Sequence, residues 1–154
     1  MSDFMARYNF VLKAMLVCRH DGKFLMQRAG RSPNLIRPLG GHVEMFERSG
    51  QTIKREIREE INSGISNLRY LGTIENIFTS KGKKEHEVCF IYSGELTNRK
   101  LFSKDIIYRN EDGRDEEAMW IPEAKLKRMK RNIVPRGIDR YLFGASNAGA
   151  KQVR

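Results

Sequence analysis

Cysteine, proline and tryptophan are scarce in this chain, with two Cys, four Pro and one Trp in 154 residues. Two cysteines cannot hold together a disulfide scaffold, and so little proline excludes a collagen-like chain or a proline-rich linker. Acidic residues are in deficit, 19 Asp+Glu against 29 Lys+Arg, for a net charge of +10. Long hydrophobic runs are missing: the most apolar early stretch, residues 10–18, is short and broken by Lys13, so no membrane span is expected. The first residues include Asp3 and lack an apolar segment of roughly 7 to 15 residues, so no secretory signal is expected. Cys18 and Cys89 each lie in an apolar, strand-like run and read as reduced core thiols of a cytoplasmic protein rather than as metal ligands or nucleophiles.

What is present fits one α/β domain over residues 1–143, with 40% apolar residues and enough chain to bury roughly 70% of its unfolded surface. Residues 8–18 and 23–28 read as strands separated by Asp21-Gly22, a hairpin signal. Residues 29–37 read as a loop containing Gly30, Ser32, Pro33 and Asn34, leading through Pro38 to Leu39-Gly40-Gly41. Ile53, Ile57 and Ile61 recur every four residues among charged neighbours, which predicts a helix over 49–61. Residues 68–78 and 86–96 flank a basic turn at 79–84 and read as a second hairpin. The pattern over 97–113 is ambiguous, a short strand is expected at 116–121, and Pro122 is expected in the first turn of a basic helix. A short helical stretch at 137–143 and a frayed tail at 144–154 complete the reading, with no repeat and no second domain.

The chemistry concentrates between residues 41 and 65. On a helix, Glu56, Glu59 and Glu60 share an arc of about 100°, beside the stripe of isoleucines that would seat the helix on a core. Like charges three and four residues apart cost about 0.2 to 0.5 kcal/mol per pair, so the arrangement is unfavourable unless something positive sits among them. A solvated face screened by Lys54, Arg55 and Arg58 would meet that requirement. A hard divalent ion would meet it too, since Mg²⁺ and Mn²⁺ prefer carboxylate and water oxygens and keep positions open for phosphates. The Gly40-Gly41 pair and Glu47, in the loop leading into the helix, favour the second reading, because backbone without side chains can approach a phosphate closely.

Gly41, five residues, Glu47, seven residues, then Arg55-Glu56-Ile57-Arg58-Glu59-Glu60 resembles the Nudix box, G-x5-E-x7-R-E-U-x-E-E-x-G-U with U apolar. The chain departs from the pattern only at its end, where Asn62-Ser63 replaces glycine and an apolar residue, and Gly64-Ile65 follows two positions late. Asparagine also tolerates a left-handed helix exit, so the change concerns how the helix stops. The resemblance implies the Nudix fold, a mixed β-sheet sandwiched between helices (α/β/α), and Mg²⁺-dependent cleavage of a nucleoside diphosphate linked to another moiety, with Mn²⁺ as a substitute. It implies Glu56, Glu59 and Glu60 as metal ligands, with the Gly40 carbonyl as an additional one. It also implies Glu59 and Glu60 as catalytic carboxylates, Glu47 as the acid that orders the loop, and Arg55 as the salt-bridge partner of Glu47.

A diphosphate bridge repels hydroxide, so a site must neutralise its oxygens, lower the pKa of a water and leave a carboxylate to take the proton. Outside the box, Glu87, Glu116 and Glu117 are further candidates for a base or a ligand. Glu75-Asn76-Ile77-Phe78 facing His86-Glu87 across a glycine turn resembles a subset of Nudix proteins. His86 by itself reads as a surface or strand-edge histidine and Trp120 as core.

Residues 125–154 hold nine Lys and Arg against Asp139 alone, contributing +8 of the chain's net +10. Such a region either solubilises the protein or steers polyphosphates and RNA toward a cleft. The expected activity is therefore MutT-like hydrolysis of a (d)NTP or related small nucleotide. The alternatives are a dinucleoside polyphosphate, an RNA 5′ end, or a non-catalytic nucleotide-sensing module. Members of the family are often homodimers, although nothing in this sequence fixes the assembly.

Overall fold

Alternation along the first strand sets the layers. In the computed structural model, which describes residues 8–144 apart from 31, 33, 112 and 113, together with 151 and 152, strand β1 spans Tyr8–Val17. The side chains of residues 8, 9, 108–111, 114–116, 151 and 152 fall outside the description. Ala14 and Leu16 join a buried cluster with Ile53, Ile57 and Ile61 of helix α1, Ser49–Ile61, whereas Met15 and Val17 face a second cluster with Leu126, Ile133, Ile138 and Leu142. One sheet thus carries helices on both faces, the expected α/β/α arrangement. Each of the three isoleucines is at most 5% exposed, and burying each contributes about 1.5 to 3 kcal/mol.

The remaining elements are β2 (Arg19–His20), β3 (Lys23–Arg28), β4 (Ile36–His42), β5 (Ile65–Ser80), β6 (Lys83–Leu96), β7 (Ile106–Glu111), β8 (Arg114–Pro122), α2 (Glu123–Arg128), α3 (Asp139–Phe143) and β9 (Lys151–Gln152). Strand order is β7-β8-β3-β4-β1-β6-β5-β9, with β2 paired to β3 alone. The pairing of β1 with β6 is parallel and the other strand pairings are antiparallel.

Several sequence expectations are corrected. The hairpin at Asp21-Gly22 joins β2 to β3, while β1, an interior strand, satisfies its two backbone edges with β4 and β6. The presumed loop ends earlier than expected, since Ile36 and Arg37 already belong to β4. That strand pairs with β3 through Ile36, Arg37 and Pro38, then with β1 through Leu39 to His42, so Pro38 sits where the partner changes. The ambiguous stretch contains a 3₁₀ turn, Arg99–Ser103, and strand β7. Within the supposed tail, residues 145–150, 153 and 154 lie outside the described residues, while Lys151–Gln152 pair with Arg69 and Tyr70 of β5.

Both cysteines are core thiols, as expected, 1% and 0% exposed, and burial pushes Cys18 up to about 12 and Cys89 up to about 11. Trp120 is buried, with its indole N–H donating to the Leu101 carbonyl at 3.0 Å. Among the described residues no helix is long and apolar enough to cross a membrane.

Candidate active site

Helix α1 and the loop before it form one charged assembly. Glu47 accepts from Arg55 Nε at 2.8 Å, Arg55 Nη2 at 3.0 Å, the Thr52 hydroxyl at 2.9 Å and the Glu44 backbone N–H at 3.1 Å. Arg55 dominates these interactions and holds the Glu47 carboxyl at about 2, far below its ordinary 4.5. The Glu47 N–H returns a bond to the Glu44 carbonyl at 3.0 Å, closing a turn with Met45 and Phe46 at its tip. Phe46 is fully exposed with φ of 66°, a left-handed conformation that costs a side chain roughly 1 to 2 kcal/mol. The helix ends at Asn62 with φ 52° and ψ 50°, the left-handed exit that asparagine can supply in place of glycine.

Arg55 also reaches the other acids. Its Nη1 donates to Glu56 Oε1 at 2.9 Å and to Glu59 Oε2 at 3.3 Å, and its Nη2 donates to the His42 carbonyl at 3.1 Å. The positive charge required by the crowded glutamates is thus present as a guanidinium. Glu56 and Glu60 are 9% and 6% exposed, whereas the Glu59 side chain is 61% exposed. Across from them runs the glycine pair of β4. A Cβ on Gly41 would stand 2.3 Å from the Glu56 carboxyl, and one on Gly40 would stand 2.0 Å from the Ala14 carbonyl oxygen. Two buried carboxylates one helical turn apart, one resting on bare backbone, make an oxygen-only donor set that fits a hard divalent ion. Among the described residues no three His, Cys, Asp or Glu side chains are already gathered as a ligand set.

Beside this assembly lies a cavity of about 670 Å³. Lys13, Arg37, Lys81 and Arg136 bring positive charge to its lining, and Asn76, Phe78 and Glu87 come from the second hairpin. Strand pairing explains the convergence: Lys13 of β1 stands opposite His42 of β4, and its ammonium donates to Glu87 of β6. Asn76 donates to the other Glu87 oxygen at 3.4 Å. Burial, reinforced by Lys13 and Arg37, pushes His42 below its ordinary 6.5 and keeps the ring neutral at pH 7. Two other cavities, with residues of β2, β5, β6, α3 and the 3₁₀ turn in their walls, share no lining residue with the box.

Of the acids outside the box, Glu87 comes beside it, 8% exposed. Glu117 is half-buried on β8, paired with Tyr108, and shares no hydrogen bond with the box among the described residues. The side chain of Glu116 falls outside the described residues. His86 bonds Glu75 at 3.0 Å and stands between Phe10 of β1 and Ile77 of β5, so it is a surface histidine of an interior strand rather than one at a sheet edge. Sequence reading missed Lys13, Arg37 and His42 as site residues. The signal was a charged residue inside an apolar run, Lys13, which reads only as an interruption until β1 and β6 are paired.

The sequence profile of the NUDIX domain matches residues 12–141. Among solved structures, the NUDIX hydrolase from Nitrosomonas europaea is similar with a TM-score of 0.69 at 18% identity, over 93% of each chain. The MutT NUDIX hydrolase from Burkholderia pseudomallei is similar with a TM-score of 0.58 at 19% identity, over 79% of this chain and 97% of that one. No curated protein sequence matches significantly. At these identities the structural likeness speaks for the fold, while the profile spans most of the sequence and includes the whole glutamate assembly. The chain belongs to the Nudix family of pyrophosphohydrolases.

Proposed function

We propose that this chain hydrolyses a phosphoric anhydride bond of a (d)NTP or a related small nucleoside diphosphate derivative, with Mg²⁺ as cofactor and Mn²⁺ as a substitute. The observation that carries the reading is the burial of Glu56 against the Gly41 backbone, with Glu60 buried one turn on, next to His42, which lines a cavity rich in Lys and Arg. Glu56, Glu59 and Glu60 would hold the ion, with the Gly40 carbonyl as an additional ligand. When bound, a divalent ion neutralises the diphosphate oxygens and lowers the pKa of the attacking water. Glu47 and Arg55 are positioning residues: their paired hydrogen bonds fix the loop against α1 and orient Glu56 and Glu59. The exposure of Glu59 supports it as the carboxylate that takes the proton from the water. Glu87, already engaged by Lys13 and Asn76, holds Lys13 at the cavity wall. Lys13, Arg37, Lys81 and Arg136 offer the phosphates positive charge, and Phe78 and Asn76 offer the base an apolar and a polar contact.

The test is a hydrolysis screen with Mg²⁺ over canonical and oxidised nucleotides, ADP-ribose, dinucleoside polyphosphates and 5′-triphosphate RNA, reading the released phosphate species. Glu59→Gln and Glu60→Gln should each lower turnover by about a hundredfold or more while leaving the fold intact. Unchanged hydrolysis in both variants would remove the metal assignment, and nucleotide binding without turnover in the wild type would leave a sensing module.

A further inference from the structure

Gln27 is a polar side chain sealed inside the sheet. It stands on β3 between Arg37 of β4 and Ala118 of β8 and is 1% exposed. Its Nε2 donates to the Pro38 carbonyl at 3.4 Å, and because that carbonyl can only accept, the amide cannot be turned over. Its Oε1 is left buried without a donor. Across the β3–β4 pairing Arg37 carries the complementary defect. Its Nε is buried without an acceptor, and the side chain makes no hydrogen bond or ion pair among the described residues. Both orphaned atoms lower stability, and an apolar side chain of similar length would fill the place of Gln27 without that loss.

Register puts the two atoms within reach of each other. Directly opposed residues of an antiparallel pair have Cβ atoms about 4.5 to 5.5 Å apart. Glutamine Oε1 and arginine Nε lie the same number of bonds from the backbone, so a change of rotamer can join them while both strands stay in place. Arg37 also lines the cavity, together with Lys13, Lys81 and Arg136, whereas Gln27 does not. A ligand in the cavity therefore meets Gln27 only through Arg37. With Nε committed to Gln27, the plane of the guanidinium is fixed and its two terminal nitrogens remain as a fork that matches a pair of phosphate oxygens.

We propose that Gln27 is a positioning residue for Arg37: with a polyphosphate in the cavity, the Arg37 Nε–H donates to Gln27 Oε1 and both terminal nitrogens of Arg37 face the phosphates. This rests on the proposed hydrolase reading for the presence of phosphates there. The anion drives the change through its greater affinity for the forked arrangement, and the buried amide is held in readiness at a cost to the stability of the empty protein.

The test is calorimetric titration of inorganic tripolyphosphate without Mg²⁺, so that no turnover intervenes, into the wild type, Gln27→Met, Arg37→Lys and the double variant. Methionine keeps the length and removes the acceptor, while lysine keeps the charge and removes the Nε–H. Gln27→Met should weaken binding about tenfold when Arg37 is present and less than about twofold in the R37K background, because the residue acts through Arg37. The unliganded Gln27→Met protein should melt about 2 °C or more above wild type, the opposite of what loss of a structural residue gives. In the wild type alone, the Arg37 Nε–H magnetic-resonance signal, identified by its disappearance in R37K, should move downfield on adding tripolyphosphate, a readout that needs no Gln27 variant to fold. Absence of tripolyphosphate binding, the same loss repeated in the R37K background, a lowered Tm with affinity unchanged, or an Nε–H signal that stays in place would overturn the proposal. Tripolyphosphate binding with the signal shift but no hydrolysis of any nucleotide would sink the hydrolase reading alone. Nucleotide hydrolysis with a stationary signal would sink this inference alone.

Discussion

Glu47→Gln isolates the contact on which the loop before α1 depends. The substitution keeps the shape of the side chain but removes its charge and turns an amide NH₂ toward Arg55 or the Glu44 N–H, groups that only donate. In the native chain two Arg55 nitrogens, the Thr52 hydroxyl and the Glu44 N–H converge on the carboxylate, holding it at about 2 instead of 4.5. At about 1.4 kcal/mol per pK unit the depression corresponds to about 3 kcal/mol. The side chain is 14% exposed, so modest solvent screening leaves about 2 to 3 kcal/mol as the expected loss at neutral pH. A depressed folded-state pKa contributes stability in full above the unfolded value of 4.5, and that contribution fades as pH falls toward about 2. Urea denaturation of both proteins from pH 7 down to about pH 3 measures the gap directly. It should stay level from neutral pH to about 5 and shrink steadily below 4.5. A neutral-pH gap below about 0.5 kcal/mol, or one that persists unchanged to about pH 3, would refute the reasoning.

Phe46→Gly should stabilise the protein by about 1 kcal/mol and raise Tm by about 2 to 4 °C, because glycine relieves the left-handed strain at an exposed tip; scanning calorimetry checks the sign. Gly41→Ala should leave Tm nearly unchanged yet weaken divalent-ion binding measured by calorimetric titration, since the new methyl displaces the flexible end of Glu56 rather than backbone. Lys13→Met should cost about 2 kcal/mol or more by leaving the Glu87 carboxylate buried without its cation, and the double variant with Glu87→Gln should recover most of that loss in a denaturation cycle.

What could be read in the sequence was local. The spacing of Ile53, Ile57 and Ile61 defined α1 to the residue, and the resemblance to the Nudix box implied the Glu47–Arg55 pairing. Asn62 did what its tolerance of left-handed backbone allows. The course of β4 was hidden, because Pro38, Gly40 and Gly41 favour loops by composition and become a strand only through partners on alternate sides. Strand β7 was hidden for a similar reason, since it is tied by β8 and by Ile107 in the cluster with α1 rather than by any strong pattern of its own. The cavity could not be read at all. Lys13 and Glu87 are 74 positions apart, and their meeting follows from the parallel pairing of β1 with β6, a register that no local signal encodes.

Arg55 touches Glu47, Glu56, Glu59 and the His42 carbonyl at once, so the fold carries a tethered counterion in the midst of its own acids. The repulsion among those side chains is discharged within the polypeptide, and the architecture does not lean on an external charge as a zinc finger does. A divalent ion held by Glu56 and Glu59 as proposed would have to take the place of one arm of the guanidinium, while the bonds of Arg55 to Glu47 would keep their grip on the loop.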